Sequence, residues 1–126
     1  MLVTARNISF LIGVGLAIFL GVAPLVAGSL VLGGYYNPGY VYHTSLIVYN
    51  MVMGLMSLLA ASLAILRHKY AVNLAILIAI LHGLVLGFML LVFREHLAVQ
   101  SIEAMTLRTF VWLLISVLWR LQAGKV

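Results

Sequence analysis

The sequence predicts an all-α fold: an integral membrane four-helix bundle with short loops and both termini in the cytoplasm. Composition is the first observation. Of 126 residues, 66% are hydrophobic and 7% charged, with a mean hydropathy of +1.26, whereas an ordinary soluble domain is about 25% charged. The second is the position of the turn signals, which leave four apolar runs, each with the roughly 20 residues a spanning helix needs. The third is the basic residues, which sit at the ends of those runs and form no patch. That is the pattern of membrane topology and argues against a nucleic-acid partner. A single transmembrane domain, residues 1–126, accounts for the length.

The first run, residues 8–32, can span with tilt, and Pro24 is expected to kink it. Arg6 ahead of it and the small residues Ala27, Gly28 and Ser29 invite comparison with a signal peptide. The apolar stretch is too long for an h-region, so it is expected to stay as an anchor. Gly33, Gly34, Asn37, Pro38 and Gly39 mark a turn, and Tyr35, Tyr36, Tyr40 and Tyr42 suit the lipid head-group level. The second run is 41–66, closed by the tight basic turn Arg67-His68-Lys69, and the third is 70–93. Arg94-Glu95-His96 opens a polar connection to the fourth run, 97–121, whose start lies at Leu97 or Ser101.

Charge bias orients these helices. The side with the termini holds Arg6, Arg67, Lys69, Arg120 and Lys125. The other holds Arg94 and Arg108 with both acids, Glu95 and Glu103. The positive-inside rule then puts the termini in the cytoplasm, in a cell or inner membrane.

Small residues form faces for close helix contact. The third run carries a ladder at a spacing of four, Ala71, Ala75, Ala79, Gly83 and Gly87, beside His82. The first has Gly13, Ala17 and Gly21 at the same spacing. The second has His43, Ile47, Asn50, Gly54, Ser57, Ala61, Ala64 and His68 alternating by four and three, the seam of a left-handed pair. The ladder favours a close right-handed crossing. The fourth run, with Phe110, Trp112 and Trp119, reads as lipid-facing at its cytoplasmic end. These faces can bury against each other within one compact bundle; faces on three helices also offer more contact surface than one bundle needs, so other membrane subunits, or self-association through helices 2 and 3, are expected beside the lipid bilayer.

Depth suggests which polar residues meet. At about 1.5 Å per residue, His82 and Arg108 each lie roughly 18 Å from the cytoplasmic boundary, and Asn50 and Glu103 roughly 25 Å. Histidine and arginine at such depth need partners. The expectation is a cofactor-binding pocket lined by His82, Arg108, Glu103 and Asn50, with Tyr42, Tyr49, His43 and His96 at its mouth. It would suit a quinone head group, whose carbonyls need hydrogen-bond donors, or haem, including the propionates of a neighbouring subunit's haem. Bound lipids are expected as well. A purely structural account also exists: Arg108 snorkels to the head groups with Glu103, and His82 is a neutral imidazole bonded across a helix seam.

Other chemistry is excluded or weak. Without cysteine there is no disulfide, thiolate metal site or iron–sulfur cluster. No phosphate loop and no aspartate occur. The histidines lie at different levels, which argues against an internal bis-histidine haem, and no metal site is expected. His43 and His96 with Glu95 or Glu103 match no ligand motif, His68 reads as a turn residue, and the methionines as core filler. Catalysis by the chain alone is not expected. Two function classes follow: an accessory subunit of a larger membrane complex, respiratory or otherwise redox, or a homo-oligomeric channel or transporter lined by Asn50, Ser57 and His82.

Overall fold

The computed structural model describes residues 5–39, 43–92 and 98–123. Among them four helices form, α1 Ala5–Leu32, α2 Thr44–Ile65, α3 Ala71–Leu91 and α4 Val99–Ala123. All four are long and apolar enough to cross a membrane. The expectations placed on Tyr40, Tyr42, Arg94, Glu95, His96 and Lys125 lie outside the described residues.

The helices stop where backbone chemistry lets them. At the end of α1 the Tyr35 N–H donates to the Leu30 carbonyl (2.9 Å) and the Gly34 N–H to Val31 (3.2 Å), while Gly34 takes φ +80°. This is a Schellman cap, and glycine supplies its left-handed residue at no steric penalty. The same cap closes α2, with His68 N–H on the Leu63 carbonyl (2.8 Å) and Arg67 N–H on Ala64 (3.0 Å). There the left-handed residue is Arg67, φ +57°. A non-glycine residue in that region is strained by about 1 kcal/mol or more. Pro24 lies buried inside α1, which continues to Leu32.

Two aromatic contacts fix the topology. The Arg67 guanidinium lies 4.2 Å from the centroid of the Phe10 ring, and Phe10 lies 6.5 Å from Trp119. The start of α1, the end of α2 and the end of α4 therefore share one end of the bundle, so successive helices alternate in direction. Each helix packs on two neighbours in a closed ring, α1 on α2, α2 on α3, α3 on α4 and α4 on α1.

α1 and α2 meet backbone to backbone. A Cβ on Gly54 would stand 2.7 Å from the Gly21 carbonyl oxygen, and one on Gly21 would stand 2.9 Å from that of Gly54. Gly28 is covered instead by side chains, those of Met51 and Ile47. The second-run seam accordingly buries Gly54, Ser57, Ala61 and Ala64.

The ladder on α3 is used over only part of its length. Ala71, Ala75 and Ala79 are buried, Gly83 meets only the Thr109 Cγ2 at 3.7 Å, and a Cβ on Gly87 would meet nothing within 4 Å. The reading of α4 needs a larger correction. Phe110 is 64% exposed, but Trp112 and Trp119 are 0% and 2% exposed and anchor the core at the end that holds the termini. Their separation of seven residues puts them on one face of α4, edge to face at 6.2 Å. Gly13 of α1 makes room for the second: a Cβ there would stand 2.7 Å from the Trp119 Nε1. Indole bulk suits a lipid interface as well as a core, and it is the glycine opposite that decides.

Candidate functional site in the half remote from the termini

Tyr49, Asn50, His82 and Arg108 lie in the half of the bundle where α2 and α4 begin. His82 is 2% exposed, and its Nδ1 is 3.2 Å from the Tyr49 hydroxyl, the two rings standing edge to face at 5.8 Å. One of the two atoms donates, depending on the imidazole tautomer. The partner that a buried histidine requires is thus a tyrosine of the neighbouring helix. Depth arithmetic alone separates Tyr49 and His82 by about 9 Å along the bundle, and the reach of the phenol closes that gap. It is this reach that places Tyr49 beside His82 and not only at a pocket mouth.

Two cavities lie in this half of the bundle, and Tyr49 lines the second. One, about 120 Å³, lies between α1, α2 and α4, and its lining includes His43, Asn50, Ser101 and Arg108. The Asn50 Oδ1 is buried without a hydrogen-bond partner. The second, about 300 Å³, lies between α2 and α3 and is lined by Leu46, Tyr49, Val85, Phe88 and Met89 with His43 and Ser45 at its edge. His43 and Leu46 belong to both, so the cavities abut at the start of α2. Neither Arg108 nor His43 is without a partner.

Of the four residues expected to line one pocket, Asn50 and Arg108 share a cavity. His82 bonds to Tyr49 and lines neither cavity. Glu103 is exposed and also lines neither. On α4 it stands five residues before Arg108, so the two carboxyl and guanidinium groups project about 140° apart around the helix. Ser57 is buried, but its hydroxyl donates to the Met53 carbonyl of its own helix at 2.7 Å. His68 accepts the Tyr70 N–H at Nδ1 (3.2 Å) within the α2–α3 turn. No group of three or more metal-ligating side chains occurs among the described residues.

The class that these features define is a multi-pass membrane protein of four apolar helices with a polar cluster at one end of its core. Comparison with known protein families, characterised proteins and solved structures finds no match for the chain.

Proposed function

We propose that the chain is a small accessory subunit of a larger membrane assembly, of respiratory or other redox type, and that it forms one wall of a quinone site. The observation that carries this reading is the α2–α3 groove, with its apolar sides and, at its wall, Tyr49, whose hydroxyl is bonded to His82. At about 300 Å³ it is at the lower end of small-ligand sites, and only two helices line it, so a neighbouring subunit would complete it. Leu46, Val85, Phe88 and Met89 suit a quinone ring and the start of its tail. With Nδ1 protonated, His82 donates to the phenol oxygen and leaves the Tyr49 O–H to donate to a quinone carbonyl. The chain positions the quinone; the electrons come from a cofactor in a neighbouring subunit. Haem is the weaker reading, because His82 faces neither cavity.

The open stretch of α3 at Gly83 and Gly87 supports contact with a neighbour. That stretch equally favours the second reading, a homo-oligomeric channel or transporter formed through α2 and α3. A pathway through Ser57 is less well supported, since its hydroxyl is bonded within its own helix. With the basic residues at the end of the bundle that holds the termini, the quinone site lies in the outer half of the membrane.

Isolation from native membranes in mild detergent tests the proposal. The expected result is stoichiometric co-purification with cofactor-bearing chains and extractable quinone, with Tyr49→Phe and His82→Leu lowering the quinone content. A symmetric assembly of this chain alone, free of quinone and unaffected by either substitution, would overturn it.

A further inference from the structure

The smaller cavity, between α1, α2 and α4, carries a separate inference that does not rest on the quinone reading. We propose that it holds the head group of an anionic phosphodiester lipid bearing a hydroxyl, drawn from the leaflet opposite the chain termini. The lining is cationic: Arg108 contributes a guanidinium, and Glu103, the one acid among the described residues, points elsewhere. A guanidinium has five N–H donors, so Arg108 can keep a contact within the protein and still grip two phosphate oxygens in a bidentate pair. The Ser101 hydroxyl adds a further donor on the same wall.

Charge alone would fit any anion. Asn50 narrows the choice, because its buried Oδ1 has no partner and calls for a donor that a bare phosphodiester does not carry. A head-group hydroxyl supplies that donor. An ammonium would too, but it would stand beside Arg108 with no carboxylate among the described lining residues, which like-charge repulsion disfavours. The volume, about 120 Å³, suits a head group and is too small for a complete small-molecule ligand. Ala27 both lines the cavity and is exposed, so the mouth opens on the surface of α1. Val26 and Leu30 are exposed beside it, where acyl chains would run.

Native mass spectrometry of the purified protein in mixed micelles tests this against four probes: phosphatidylglycerol, phosphatidylmethanol, phosphatidylcholine and inorganic phosphate. Phosphatidylglycerol should be retained about tenfold more strongly than phosphatidylcholine, and Arg108→Gln should remove most of that preference while Arg108→Lys keeps part of it. Asn50→Leu should abolish the preference for phosphatidylglycerol over phosphatidylmethanol, which lacks the hydroxyl, without abolishing binding of either. Ala104→Leu, which fills the cavity and leaves its charge alone, should release the lipid from a protein whose helical melting shows it folded. Equal retention of phosphatidylglycerol and phosphatidylcholine would overturn the proposal, as would binding that survives both Arg108→Gln and Ala104→Leu. Displacement of the lipid by excess inorganic phosphate would overturn the lipid assignment in favour of a free-anion site.

Discussion

Replacing Gly54 by alanine tests whether backbone contact holds α1 against α2. The added Cβ would stand 2.7 Å from the Gly21 carbonyl oxygen, where ordinary contact begins at 3.4 Å, and the obstructing atom is backbone. The helices must part by about 0.7 Å at this point, and a gap of that size forfeits roughly a quarter to a half of each dispersion contact across it. Overpacking of this kind costs about 1–3 kcal/mol, against which alanine's better helix propensity returns up to about 1 kcal/mol. Gly87→Ala isolates the packing contribution, since it carries the same propensity gain and its Cβ would meet nothing within 4 Å. Thermal unfolding in mild detergent, followed by helical circular dichroism, should show Gly54→Ala melting roughly 4–12 °C below Gly87→Ala for a chain of this size. Equal melting of the two variants would refute the claim that the Gly21–Gly54 contact closes the bundle.

Trp112→Ala should destabilise the protein by about 3–5 kcal/mol, while Phe110→Ala, at an exposed position, should leave the melting curve nearly unchanged; a reversed order would return the α4 tryptophans to the lipid face. At the strained cap of α2, Arg67→Gly relieves the positive φ and loses the stacking on Phe10, so its net effect should be near zero, whereas Arg67→Ala keeps the strain and should be less stable by about 1 kcal/mol. Tyr49→Phe should destabilise by about 1–3 kcal/mol, because it leaves the buried His82 without its hydroxyl partner. The double variant Tyr49→Phe/His82→Leu should lose less than the sum of the two single changes, measured by the same melts as a double-mutant cycle, and simple additivity would mean that the two side chains are not coupled.

The helices were legible in the sequence because bilayer thickness converts an apolar run into a span. The four runs sit on α1 to α4 within a few residues at each described end, and their turns fall where Gly33-Gly34 and Arg67-His68-Lys69 punctuate them. The candidate site was legible only as a set of depths. Level along the bundle does not fix direction around a helix, so it could not tell that Arg108 turns towards Asn50 while Glu103 turns away. Nor did it pair Tyr49 with His82, whose contact spans two levels through the length of a phenol.

Composition and periodicity by themselves determined the helix count, the approximate spans and the faces rich in small residues. Only the tertiary structure decided which of those faces is used: Gly21 against Gly54 in contact, Gly87 left open, Trp119 turned inward over Gly13. In water, burial of apolar surface would have marked the inner face of each helix, as it does in a soluble bundle. Lipid tails are as apolar as leucine, so hydrophobicity drives these helices into the membrane without saying which side faces the protein. That choice falls to the fit of one backbone against another and to the few polar groups that must find each other.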